Sequence, residues 1–451
     1  MSAQDPTTDV GAAAVELDIP LDVIAPGGST GTPEAALAPS GGMARPLRIR
    51  DFRLLFSGES VSLLGDQFHF VALAWLALQL TGSGLALGTV LMTAAIPRAV
   101  FMLVGGALSD RMSPRTLMLV SNALRSVVVG VLAGLVLTGH AELWHLYVLA
   151  AIFGVVDAIF HPALNTILPM LVPERDLAPA NALMQGAMQL TGLVGPAMAG
   201  LLVAAVQTGP AFTIDAVSFA VAATALVLIR GGRRAATTEP GVGEPRQQGI
   251  AATIGAGLRY AWGDPAIRAL LLLTAAFNLA FAGPVNVGVA WLADNRYAGG
   301  SATFGLLLST FGAGALVGAI AAGSVKAPQR LGAVVLAIAA VMGVAMTPIG
   351  WAPVAIAVAP AFVVIGLGAG FINVHVIAWL QARTVPEMRG RVMGLVMLGS
   401  MGLYPVSLAV AGVLVDLGAV AAMFAAAGLL ILVSVAAAFA WGVPDRMRAD
   451  R

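Results

Sequence analysis

Twelve stretches of about 20 largely apolar residues follow one another along this chain, and no other feature limits its fold so severely. Inside hydrocarbon every backbone N–H and C=O must find its partner within the protein, so segments of this length and polarity are helices that cross a bilayer. They run Leu54 to Leu80, Leu85 to Leu108, Thr116 to Thr138, Leu143 to Leu168, Ala182 to Val206 and Ala211 to Ile229, then Ala269 to Leu292, Thr303 to Gly323, Leu331 to Trp351, Val354 to Leu380, Val392 to Val415 and Val420 to Trp441. The expected fold class is an all-α membrane protein with twelve transmembrane helices in two six-helix halves, 43–229 and 269–441. Composition agrees: only 10% of residues are charged, against about 25% in soluble domains, and so few cannot cover a water-facing surface.

Orientation follows from charge. Of the 24 Lys and Arg, Arg98 and Arg125 lie within spans and Arg296 alone lies on one side; the other twenty-one fall on the opposite side. Basic loops stay in the cytoplasm, so both termini are expected there, in an inner (plasma) membrane. Residues 1–42 hold six acidic residues and no Lys or Arg, without the charged start and apolar core of a signal peptide, and read as a disordered cytoplasmic tail. Met43 opens the basic stretch and is an alternative start. Residues 230–268 read as a cytoplasmic linker with an amphipathic surface helix from Ile250 to Trp262, and 442–451 as a second cytoplasmic tail.

Several functions are excluded. A net charge of +1 gives no field for nucleic acid, and the absence of cysteine removes thiolate metal sites and nucleophiles. The sole lysine, Lys326, sits between Val325 and Ala327 and so completes no phosphate-binding loop. No cofactor, metal site or enzymatic activity is expected. The partners expected are a small-molecule substrate, protons and the lipid bilayer, with the chain a monomer.

The two halves carry a trace of duplication: Val172-Pro173-Glu174 before span 5 recurs as Val385-Pro386-Glu387 before span 11, each leading into a Gly-rich helix. Between spans 2 and 3, the run from Gly106 to Arg115 resembles the signature loop of the major facilitator superfamily, G-x-L-A-D-R-x-G-R-R/K. Gly106, Leu108, Asp110, Arg111 and Arg115 match, and Ser109, Ser113 and Pro114 depart. Leu63-Leu64-Gly65-Asp66, Ile214-Asp215-Ala216-Val217-Ser218-Phe219, and Val385-Pro386 with Arg389-Gly390-Arg391-Val392 are similar to the drug and siderophore exporter branch, which includes macrolide-efflux and enterobactin-exporter proteins. Gly195, Pro196 and Gly200 of span 5 resemble the Gly-Pro motif of antiporters, with Thr191 and Ala199 in place of two glycines. The resemblance implies the major facilitator fold and proton-coupled efflux of small amphiphiles such as drugs, macrolides or siderophores. It further implies a cytoplasmic gate in which Asp110, with Arg111 and Arg115, faces the N-terminus of span 11 near Gly390.

An ionised group at mid-bilayer costs about 2.5–3.5 kcal/mol, so each one calls for a partner or a task. Asp66 and Arg98 lie at comparable depth, about 18 and 15 Å from the inner ends of spans 1 and 2 at about 1.5 Å per residue. They are expected to meet, either as a proton-coupling pair or as a static tie. Glu59, seven residues before Asp66, extends an acidic face toward the cytoplasm or merely lines the vestibule. Asp157 and His161 share a face of span 4 near the depth of Arg125, as a second proton- or substrate-handling cluster or as a structural tie. His69 is read as packing, and Asp215 as ordering the outer end of span 6. Asn278 and Asn373 are mid-span amides, placed either on the cavity wall or in helix-to-helix hydrogen bonds. Two rival functions remain open: a facilitator importer of a polar solute, and a non-transporting sensor or scaffold.

Overall fold

The computed structural model describes residues 43–109, 112–231 and 250–447. Among these all regular structure is helical. Residues 1–42 and 448–451 of the expected tails, the linker between 232 and 249, and the loop residues Asp110 and Arg111 lie outside the described residues, while 443–446 of the expected C-terminal tail form a helical turn. The first half holds α1 (Arg50–Thr81), α2 (Gly84–Ser109), α3 (Pro114–Leu137), α4 (Leu143–Leu171), α5 (Glu174–Val206) and α6 (Thr208–Leu228). A short α7 (Ile250–Gly263) leads into α8 (Pro265–Gly283), which continues through a π-helical turn, Pro284–Gly288, into α9 (Val289–Asn295). The second half then continues with α10 (Gly300–Ser324), α11 (Leu331–Met346), α12 (Ala355–Arg383), α13 (Pro386–Gly402), α14 (Tyr404–Asp416), α15 (Val420–Ala440) and a final turn, α16 (Val443–Arg446).

Eleven of these helical segments are long and apolar enough to cross a membrane. The twelfth expected crossing, Val392 to Val415, is broken in two. Pro405 has no N–H to donate and its ring crowds the carbonyl four residues earlier, so the helix stops at Gly402 and restarts beyond Leu403 as α14. Span 7 meets the same problem at Pro284 and solves it without a break. Ser407 of α14 accepts from the Gly283 N–H at 2.7 Å and donates to the Leu279 carbonyl at 2.6 Å, which satisfies backbone groups at the π turn. Span 7 also starts earlier than expected. The Asp264 side chain caps α8 through the Ala266 and Ile267 N–H groups and pairs with Arg383 at the end of α12, 2.7 Å away. Partial burial pushes the Asp264 carboxyl up, but Arg383 and the cap bonds outweigh it and hold it below the usual carboxylate range. This tie is therefore intact at neutral pH and weakens only in acid.

Helices alternate in direction, so one end of the bundle carries the basic loops and the other the loops at Gly82, Gly139, Gly299 and Gly418. At the arginine-poor end, one continuous core runs through both halves, from Val71 and Leu87 to Phe304 and Leu408. Toward the basic end this core gives way to two separate ones, around Phe52, Met118 and Phe160 in the first half and around Ile267, Leu336 and Leu380 in the second. The halves join along two seams, α5 with α10 and α2 with α14. Small residues bring the backbones together there: a Cβ on Gly312 would stand 2.5 Å from the Gly192 carbonyl oxygen, and one on Gly412 2.7 Å from that of Gly84. Nearer the basic end Gly186 and Gly323 face open space. The two halves thus enclose a cleft that is shut at the arginine-poor end and opens at the basic one.

Candidate functional site

Where the cleft narrows, α1, α2, α4, α13 and α14 line a cavity of about 480 Å³. Its wall includes Asp66, Gln67, His69, Arg98, Asp157, His161 and Tyr404. α1 contributes Asp66 and His69 from one face, three residues apart. Asp66 is half-buried and, among the described residues, neither ion-pairs nor hydrogen-bonds with any side chain. It is a carboxylate without a side-chain partner on the wall of a cavity.

The expected pair of Asp66 and Arg98 does not form. Arg98 Nε lies 2.9 Å from Asp157 Oδ2, and its Nη2 lies 3.1 Å from His161 Nε2. The cause is the contact between α2 and α4: Gly154 lacks the Cβ that would collide with the Ala94 carbonyl, so α4 closes on α2 one turn before Arg98. Equal depth therefore did not translate into contact. A guanidinium only donates, so His161 Nε2 accepts and its ring proton is assigned to Nδ1.

The second expected cluster does assemble, and Arg98 joins it. Arg125 Nη1 lies 3.2 Å from Asp157 Oδ1, so one carboxylate spans two arginines from two helices. Arg125 is 2% exposed, donates to Asn122 Oδ1 at 3.0 Å, and stands over the rings of Phe160 and Phe219 at 4.2 and 4.6 Å. Aromatic faces and an amide replace the water it has lost. Glu59 does not line the vestibule as one reading expected; it is 3% exposed and buried toward α3, where Arg125 and Asn122 act on it.

Two further residues depart from their sequence readings. Asp215 does not order the end of α6, and His69 is more than packing: His69 Nδ1 faces Asp215 Oδ2 at 3.1 Å, with Asp215 wholly buried. Gly65 allows this, because any Cβ there would overlap the Ser218 hydroxyl and lie 2.7 Å from Asp215 Oδ1. The signal was present in the sequence, since His69 follows Asp66 by three residues on one helical face. Gln67 and Tyr404 had no such signal, as neither carries a charge.

The other expected residues are dispersed. Arg115 donates to the Leu226 and Val227 carbonyls, both at 2.7 Å, and so closes the end of α6. Gly106 lies in the last turns of α2, and its expected gate partners Asp110 and Arg111 lie outside the described residues. Gly195 packs on Gln67 of α1, while Pro196 and Gly200 form the seam with Ser301 and Gly305 of α10. Asn278 and Asn373 line a second cavity of about 340 Å³ in the other half, whose wall is otherwise mostly Leu, Val, Ile, Phe and Met. The Asn278 amide donates to the Thr274 carbonyl at 2.9 Å and leaves its oxygen free to accept.

A cavity with charged walls between two six-helix bundles matches one family in particular, and the model described as Major Facilitator Superfamily covers residues 55–407. The chain belongs to the Major Facilitator Superfamily. Curated relatives of this facilitator include the multidrug efflux pump Tap of Mycolicibacterium fortuitum, 26% identical over 406 residues that cover 87% of this chain and 95% of that protein. Macrolide efflux protein A of Streptococcus pyogenes is 24% identical over 349 residues, covering 76% and 84%. Among solved structures, the facilitator resembles a bacterial homologue of the iron transporter ferroportin in its inward-facing state (TM-score 0.67, 18% identity, 87% and 98% covered). It also resembles the nucleoside transporter NupG (TM-score 0.68, 12% identity, 87% and 99% covered). At such identities these structures speak for the fold alone.

Proposed function

We propose that this facilitator is a proton-coupled exporter of small amphiphilic molecules, drugs, macrolides or siderophores among them, working by alternating access in the plasma membrane with its basic end in the cytoplasm. The relatives named as efflux pumps support the direction. Asp66 is the observation that carries the mechanism, because it faces a cavity while every other carboxylate of the first-half cluster is turned to a cationic or amide neighbour.

In the conformation described, the cleft is open at the basic end, so Asp66 is within reach of cytoplasmic water. Ionised, it attracts the polar or cationic end of an amphiphile, while the apolar second cavity accepts the remainder. After the halves rock about the two seams, the same carboxylate faces the other side and takes up a proton, which expels the cargo. The proton leaves when the cleft reopens to the cytoplasm. The Asp157 cluster is the rigid part of this scheme, holding α2, α3 and α4 together while the halves move. An importer of polar solutes would need a second wall richer in hydrogen-bonding groups than two amides in an apolar cavity.

Inverted membrane vesicles energised with an inside-acid gradient test the reading. The wild type should accumulate the fluorescent lipophilic cation ethidium, and Asp66→Asn should lose at least about tenfold of the gradient-driven rate, the size of effect expected for removing a proton carrier. Equal gradient-driven uptake by both would remove Asp66 from the coupling.

A further inference from the structure

We infer that His69 and Asp215 form a second proton-binding site, loaded from the cavity through Asp66. The inference rests on the proton-coupled reading above and adds to it a separate pair of groups with its own route.

Asp215 is wholly buried and, among the described residues, His69 is the only ionisable side chain within ion-pair distance of it. His69 Nδ1 and Asp215 Oδ2 face each other at 3.1 Å, and neither has a well-formed hydrogen bond to anything else. With a neutral ring Nδ1–H can donate to Asp215, but the wholly buried carboxylate then lacks a countercharge, which is costly. A proton on the ring turns them into an ion pair. The imidazole is held flat against Phe153 at 4.7 Å and edge-on to Phe212 at 5.6 Å, so it keeps Nδ1 turned to Asp215 and leaves Nε2 on the cavity side.

Around the ring, each packed element supplies its charges: Asp66 from α1 itself, Asp215 from α6, Asp157 and His161 from α4, Arg98 from α2, Arg125 from α3 over Phe153, and the Tyr404 hydroxyl from α14. Asp157 is already shared by the two arginines, so it does not compete for the proton. The step is a simple transfer. Through water in the cavity that both residues line, the Asp66 carboxyl gives its proton to His69 Nε2, becoming a carboxylate, while the imidazolium so formed holds its Nδ1–H against the Asp215 carboxylate. Charge is conserved and no other reactant is needed. Asp66 is thereby freed to receive cargo while the proton stays stored one turn deeper.

Solid-state NMR of the full chain labelled with ¹⁵N-histidine in lipid reads the pair directly, the His69 signal being the one lost in His69→Gln. The expected result is a neutral ring at high pH that becomes doubly protonated as pH falls, with the transition moved at least one pH unit lower in Asp215→Asn. A ring that stays neutral from pH 5 to 9 on the order of that whole range, or a transition unmoved by Asp215→Asn, overturns the inference. A functional arm separates it from plain packing. His69→Gln should lose about tenfold in gradient-driven efflux and show a flattened pH profile, and Asp215→Asn, which lies off the cavity wall, should keep ethidium binding within about threefold while losing the same tenfold. Wild-type rate and profile in His69→Gln would also overturn it. Should the wild type itself show no gradient-driven efflux, the proton-coupled reading falls and the NMR titration still decides whether the pair binds a proton.

Discussion

Asp157 serves Arg98 and Arg125 at once, and that division of labour sets the consequences of mutation in the charged cluster. Asp157→Asn removes the carboxylate from the buried Arg125, a loss expected to cost about 3 kcal/mol, while Arg98, with a side chain 38% exposed, adds little. Asp66→Asn breaks no bond and is expected to change stability by less than about 1 kcal/mol. Thermal unfolding of the two variants in detergent compares them, and equal losses would contradict the assignment of one as structural and the other as functional. The sequence made the Asp157, His161 and Arg125 grouping legible, because four-residue spacing and matched depth fix two of the three coordinates of a side chain on a helix. Matched depth misled for Asp66 and Arg98, since it says nothing of which way a helix face points. That direction is set by Gly154, which presses α4 onto α2. Asp215 was misread for a related reason: distance from a helix end suggested a capping role, while its partner comes from another helix.

Among the elements, the most consequential contact is the one by which α14 closes the arginine-poor end. Asp416, at the last turn of α14, accepts from the Gly84 N–H at 2.6 Å, the Ser83 hydroxyl at 2.6 Å and the Leu85 N–H at 3.3 Å. A carboxylate thus sits on the positive N-terminus of α2, across the boundary between the halves, a placement worth about 1 kcal/mol from the dipole with charge-assisted hydrogen bonds in addition. Asp416→Ala is expected to favour opening of this end. The chain has no cysteine, so a single reporter, Val415→Cys, packed against Gly84 in the buried seam, reads it cleanly. Its rate of reaction with a membrane-impermeant maleimide applied to the arginine-poor face should rise about tenfold in the Asp416→Ala background, equivalent to about 1.4 kcal/mol; an unchanged rate would show that the cap does not hold the seam. The α5–α10 seam makes a parallel case. Gly305→Ala places a Cβ against the Pro196 carbonyl and should cost about 1–3 kcal/mol in thermal stability. The break between α13 and α14 was hidden in sequence because hydropathy runs on unbroken through it, although Gly402 and Pro405 marked the place.

At the scale of the molecule, one core joins the halves at one end and two separate cores divide them at the other, the arrangement on which the proposed rocking rests. The crossings and the six-plus-six division were legible in the sequence, since both rest on length and polarity alone. The direction in which the cleft opens was not, because it depends on where glycines let backbones touch and where they face empty space. In the proposed cycle cargo and proton compete for Asp66. Purified protein in weakly buffered detergent tests it directly: ethidium is added near neutral pH and the protons released are counted with a pH indicator. Release in step with binding is expected for the wild type, and binding with most of that release missing for Asp66→Asn. Ethidium binding without proton release in the wild type at any pH from about 6 to 9, the window in which a tuned proton carrier works, would contradict it.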